Sequence, residues 1–159
     1  MGGDAAARPS RASLRPVSPR DIAAIARIER ASFGDPWTEE SFRELLGIPS
    51  AIFLVATKGS ENAVAGYVVA AVASDQAEIL NLAVNPSERR GGLGGDLLDA
   101  AFAALMARGA REVFLEVRKS NVAALALYRS RGFASLSIRR NYYRSPVEDA
   151  FVLSRAIER

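Results

Sequence analysis

Apolar positions along this chain switch between two periods, and the switches mark its elements. Ser18-Pro19-Arg20-Asp21 precedes Ile22, Ile25, Ile28 and Glu29 at helical spacing. A capping serine, a proline at the first helical position and an acid in the first turn make a start signal, and the spacing predicts a helix to about Phe33. Gly34-Asp35-Pro36 breaks it, and Thr38 opens a shorter helix that stops near Gly47. Residues 51–57 (AIFLVAT) and 63–72 (AVAGYVVAAV), separated by Lys58 to Asn62, read as a β-hairpin. Residues 78–84 (EILNLAV) are a third short run rich in strand formers.

A glycine loop, residues 91–95, follows directly. After it Leu93, Leu97, Ala101 and Leu105 recur every four residues, a helical stripe with Gly109 placed as its stop. Residues 112–118 (EVFLEVR) alternate as a strand, with Val113, Leu115 and Val117 on one face and Phe114 and Glu116 on the other. Ser120-Asn121 caps a last helix that ends at Gly132, and FASLSIRR and DAFVLSRA close the chain as two more strands. The order β-α-α-β-β-β-α-β-α-β-β predicts one mixed sheet with helices packed against it.

Composition narrows the chemistry. The 159 residues suit one domain that buries about two thirds of its unfolded surface. The net charge of +3 sits in the N-terminal arm: residues 1–20 hold four arginines and one aspartate. Of 21 basic and 18 acidic residues, this leaves 17 of each in 21–159. A neutral body gives no reason to expect direct nucleic-acid binding. The chain has neither cysteine nor histidine, which excludes disulfides, thiolate metal sites and every Ser-His or Cys-His nucleophile pair. No metal site is expected. The longest apolar stretch, residues 64–73, is half of what a membrane helix needs, and the first ten residues lack a signal's apolar region. The expectation is a cytoplasmic protein with a disordered arm over 1–12 and one folded domain over 13–159.

Two constellations carry chemistry. Arg89-Arg90-Gly91-Gly92-Leu93-Gly94-Gly95 joins a strand to a helix N-terminus, where free backbone N–H groups and the helix dipole attract anions. A Walker loop fails because Asp96 stands where lysine is required, and a dinucleotide fingerprint fails because Leu97 replaces its third glycine. A loop wrapped around a pyrophosphate and a plain surface turn both remain open. In residues 115–133 (LEVRKSNVAALALYRSRGF), Asn121, Leu125 and Tyr128 share one helix face, the cap and the phenol about 10 Å apart. A core tyrosine with a satisfied hydroxyl would share this pattern.

Taken together, the two stretches resemble the GNAT acetyltransferases, over about residues 13–157 and in that family's element order. More narrowly, IERASFGDPWTEESF, LNLAV, LEVRKSNVAALALYRSRGF and RRNYY resemble the subgroup that acetylates the N-terminal alanine of ribosomal protein bS18. The segment RSPVED after Tyr143 departs from the pattern by being shorter than the family's usual loop. The resemblance implies a GNAT fold, α/β (α+β), with a mixed, mostly antiparallel sheet of about seven strands and about four helices. It implies acetyl-CoA as co-substrate and the bS18 N-terminus, or a similar peptide, as partner.

The implied roles fall on particular residues. Backbone atoms of Leu82, Ala83 and Val84 pair with the pantetheine arm as with an added strand. The N–H groups of Arg90, Gly91, Gly92, Leu93, Gly94 and Gly95 take the pyrophosphate, and the Asn121 side chain meets the cofactor. An amine attacking a thioester arrives mostly protonated, so a base must take its proton. The chain offers carboxylates for this, and the resemblance selects Glu116, acting through a water, with Tyr128 giving its proton to the departing thiolate. Glu78, at the start of EILNLAV, is the rival base, at the position of the histone-type relatives' glutamate. Trp37 and Tyr142 are candidates for the acceptor groove, and Arg129, Arg131, Arg139, Arg140 and Arg144 for a basic patch.

Overall fold

The computed structural model describes residues 12–157. The expected arm lies outside the described residues apart from Ala12, which packs against the core. The elements are β1 (Ser13–Pro16), α1 (Ile22–Ser32), α2 (Glu39–Leu45), β2 (Ala51–Lys58), β3 (Ala63–Ala73), β4 (Gln76–Val84), α3 (Leu93–Ala107), β5 (Glu112–Arg118), α4 (Val122–Ser130), β6 (Ala134–Tyr143) and β7 (Glu148–Ala156). Short 3-10 turns occupy Pro19–Asp21 and Pro86–Glu88.

The strands form one seven-stranded sheet in the order β1-β2-β3-β4-β5-β7-β6. Only the β4–β5 pair is parallel. That pair is bridged by the glycine loop and α3, the helical crossover a parallel connection requires. Two cores cover the two faces. Ile22, Ile25, Ala26 and Ile28 of α1 and Phe42 of α2 pack on Phe53, Val55, Tyr67, Val69 and Ala83. On the opposite face, Leu97, Leu98, Ala101 and Leu105 of α3 and Leu125 and Tyr128 of α4 pack on Val68, Ile79, Val113, Leu115 and Leu153.

Local chemistry explains three departures from the pattern reading. The first helix is preceded by a separate 3-10 turn, and Ser18 caps that turn in a capping box with Asp21, its N–H and Oγ donating to Asp21 Oδ2 at 2.8 and 3.1 Å. Arg15 of β1 closes on the same carboxylate at 2.7 and 2.9 Å, which ties the first strand to the first helix. Residues 78–84 are not an isolated run but the second arm of a tight β3–β4 hairpin that starts at Gln76 and turns through Ser74, whose φ is +60°. Phe133, expected in a strand, is instead buried against Phe102 and Tyr128, and β6 runs on to Tyr143.

Candidate active site

The parallel pairing of β4 with β5 runs from Gln76–Glu112 to Ile79–Leu115 and then stops, although β4 continues to Val84 and β5 to Arg118. The cause lies in β4. Val69 of β3 pairs with Asn81 and Ala70 with Ile79, so Leu80 is an extra, bulged residue. A bulge bends and twists its strand, and beyond it the two strands part. On the open side Leu82 N–H donates to the Asn81 side chain at 3.0 Å, and the Val84 carbonyl accepts from Arg89 Nε at 3.2 Å. Main-chain groups of Leu82 and Val84 thus face a gap that an extended amide chain can fill, whereas Ala83, expected to join them, turns its main chain to Tyr67 of β3, because successive residues of a strand face opposite neighbours.

The glycine loop follows the unpaired end of β4. Asn85 caps the Pro86–Glu88 turn, and Arg89 also reaches Ser32 Oγ at 3.2 Å, so the loop is held at its entry. Arg90 has φ +71° and Gly92 φ +80°, and Gly92 is the N-cap of α3. A side chain built on Gly92 would meet no atom within 4 Å, so open space lies over the helix start. The N–H groups of Leu93, Gly94 and Gly95 open the first turn, as an anion cradle requires. Gly95 lies against the Arg131 guanidinium, which also pairs with Asp99 at 3.1 Å. One member of the expected basic patch therefore stands beside this loop, and another, Arg139, pairs with Glu116. Asn121 spends its Oδ1 on the α4 cap, accepting from Ala124 N at 3.1 Å, which leaves its Nδ2 for a ligand.

Glu78, Phe114 and Glu116 share the face turned towards α1 and α2, whereas Tyr128 comes from the α3/α4 side. The gap between the strands is where groups from opposite faces can meet one substrate. The Glu116 side chain is 17% exposed and pairs with Arg139 Nε at 3.5 Å. Its approach raises the Tyr142 hydroxyl, and burial followed by the Glu116 charge pushes Tyr143 up to about 12. Burial first, then the Glu116 charge, also raises Glu78, against the opposing pull of Arg139.

Tyr128 is 7% exposed, and burial, then Tyr143, raises its hydroxyl well above the usual phenol range. The hydroxyl bonds to no other described residue, and it is not sealed away either, since no buried side-chain polar atom among the described residues lacks a partner. It is therefore not the satisfied core tyrosine that the sequence allowed. Tyr143, which carries no assignment from the sequence, raises this phenol and is itself raised by the Glu116 charge, and only its place after Tyr142 in RRNYY hinted at it.

Two loops meet at the far side of the sheet. Gly34 lies so close to the Ser145 carbonyl that a Cβ would collide with it, which brings the α1–α2 loop onto the β6–β7 turn. Trp37 is half-buried, its ring 5.5 Å from that of Phe42, while Tyr142 is exposed and packs edge-on to Tyr143 at 5.0 Å. The two aromatics singled out from the sequence thus sit on either side of this closure, Trp37 mostly as packing.

Comparison with known proteins agrees with this geometry. The model of the Acetyltransferase (GNAT) family matches residues 22–133. The ribosomal protein bS18 alanine N-acetyltransferase of Escherichia coli (strain K12) is 38% identical over 136 residues, covering 84% of this chain and 90% of its own. The N-alpha-acetyltransferase RimI of Mycobacterium tuberculosis (strain ATCC 25618 / H37Rv) is 34% identical, covering 85% and 86%. The crystal structure of the ribosomal-protein-S18-alanine N-acetyltransferase from Escherichia coli superposes with a TM-score of 0.83 at 33% identity, covering 93% of this chain and 95% of that one. A strand gap ending in a glycine-rich anion cradle, on a seven-stranded sheet of this order and in a sequence this similar, leaves one conclusion: the chain belongs to the GNAT acetyltransferase family.

Proposed function

We propose that this enzyme transfers the acetyl group of acetyl-CoA to a protein N-terminal α-amine, that of the alanine of ribosomal protein bS18. The observation that carries the reading is the β4–β5 gap, with a phosphate cradle at one end and Glu116 and Tyr128 on its two sides. Acetyl-CoA fits it by chemistry: Leu82 and Val84 offer main-chain partners to pantetheine amides, and residues 90–95 offer N–H groups to the pyrophosphate. The acceptor follows the named activity of relatives that match this chain along most of its length.

Transfer is direct, since the chain has no cysteine to carry the acetyl group. Glu116 takes a proton from the ammonium through a water, and the free amine adds to the thioester carbonyl. The tetrahedral adduct then loses a second proton from its nitrogen to solvent and breaks its C–S bond. Tyr128, a neutral phenol at physiological pH, donates to the departing sulfur and is reprotonated from solvent. An α-amine of pKa about 8 is easier to deprotonate than a lysine near 10.4, a difference of roughly 3 kcal/mol at a given pH. A second reading makes Glu78 the base, because its raised carboxyl holds a proton more readily than an ordinary carboxylate. Thiol release from acetyl-CoA with mixed acceptor peptides tests for turnover: release that depends on a peptide supports the enzyme, and none at all would reduce the chain to an acyl-CoA-binding protein.

A further inference from the structure

Glu29 is 1% exposed and belongs to none of the steps above. A carboxylate that deep is costly unless donors surround it, and here three converge from three other segments. The Tyr67 hydroxyl of β3 and Asn81 Nδ2 of β4 both donate to Oε1, Asn81 at 2.7 Å, and the Trp37 main-chain N–H donates to Oε2 at 2.9 Å. Asn81 cannot turn around, because its own Oδ1 accepts from Leu82 N–H. Burial and the Glu29 charge raise the Tyr67 hydroxyl, so it remains a donor. Asn81 follows the bulged Leu80, and Trp37 immediately precedes Thr38, the N-cap of α2. One carboxylate therefore joins the strand that lines the thioester gap to the loop that closes the acceptor side.

Resting on the acetyl-transfer reading above, we propose that Glu29 is a positioning residue that holds the α1–α2 loop in register with β4, so that the acceptor amine meets the thioester. Three donors against two oxygens explain why a carboxylate is needed. A glutamine at 29 has one accepting oxygen. If that oxygen keeps Tyr67 and Asn81, the amide N–H₂ faces the Trp37 N–H, donor against donor. Glu29→Gln therefore cuts the loop tether while leaving the β3–β4 bonds in place. Tyr67→Phe is the complementary change, which removes one bond to β3 and leaves the Trp37 tether whole.

The test uses the purified enzyme with acetyl-CoA and an N-terminal acceptor peptide. Trp37 is the single tryptophan, so its emission reports the loop whether or not the protein turns over. Glu29→Gln is expected to red-shift that emission and to raise the acceptor KM about tenfold or more. Acetyl-CoA affinity should stay within about twofold. Tyr67→Phe should lower the melting temperature with little change in acceptor KM. If Glu29→Gln fails to fold, Glu29→Asp, which withdraws both oxygens by one methylene, is read in the same way. An active wild type whose folded Glu29 variants keep the emission and acceptor KM, losing only thermal stability, would overturn the positioning role alone. A wild type that acetylates no peptide would overturn the acceptor reading, and this role with it, before any variant is made.

Discussion

From β4 through the glycine loop to α4, the groups that face the gap are main-chain N–H groups, a helix N-terminus and a capping asparagine. Across the gap, from the α1–α2 loop to the β6–β7 turn, they are side chains and close approaches contributed by separate segments of the chain. The first side binds through the backbone, so its requirement is conformational and reads out as glycines next to a helical stripe. The second is assembled by tertiary contact: Glu116 with Arg139, Gly34 against Ser145, Glu29 with Trp37. Damage to the first side should therefore appear as lost cofactor binding, and damage to the second as lost turnover or lost acceptor affinity.

The sharpest separation comes from the carboxylates. Glu116→Gln is expected to lower kcat by roughly 10² or more at neutral pH while acetyl-CoA binding is retained. Raising the pH should restore part of the rate, because the amine then loses its proton unaided. Glu78→Gln should do less, and the reverse ranking would move the base to Glu78.

On the backbone side, acetyl-CoA at a hundredfold excess over its dissociation constant should stabilise the wild type by about 2.7 kcal/mol, and acetate should not. Gly92→Val places a β-branched residue at φ +80°, and Gly94→Val pushes a side chain onto Leu127. Each should remove most of that shift in a calorimetric melt, and full retention in both would show that the loop does not hold the cofactor. Next in size, Gly34→Val must part the two acceptor loops, since its Cβ collides with the Ser145 carbonyl. Acceptor KM should rise about tenfold with the acetyl-CoA shift unchanged. A lost cofactor shift instead would dissolve the distinction between the two sides.

The smallest effect concerns neither side and serves as a control. Arg15 and the Ser18 groups hold Asp21 down to about 2, below the roughly 3.9 of an unfolded chain. Its contribution is present above pH 4 and lost as pH falls through 2. Arg15→Ala should lower the melting temperature by a few degrees near neutrality, the gap to wild type closing towards pH 2, with catalysis untouched.

How much was legible follows the same division. Period and caps revealed the helices, the alternating β5 and the glycine loop at a helix N-terminus, because each depends on residues adjacent in sequence. The β5 alternation even assigned Glu116 to the face opposite Val113, Leu115 and Val117, where it stands. The bulge at Leu80 carries no glycine or proline to announce it, so the strand gap was supplied by family resemblance rather than periodicity. Glu29 sits at an apolar helical spacing and reads as the edge of an amphipathic face until its three donors are seen. Gly34 reads as a helix breaker, and its approach to Ser145 is a contact between the two ends of the chain. The shortened RSPVED segment marked a departure from the family's pattern, and that turn is where the two loops meet.

The most direct measurement is mass spectrometry of acetyl-CoA reactions with three peptides: one beginning Ala-Arg and carrying an internal lysine, the same peptide with its terminus blocked, and one with a bulky first residue. A single acetyl on the terminal amine of the first peptide is expected, with none on the blocked peptide and less on the bulky one. Equal acetylation of the blocked peptide at its lysine would contradict the α-amine assignment.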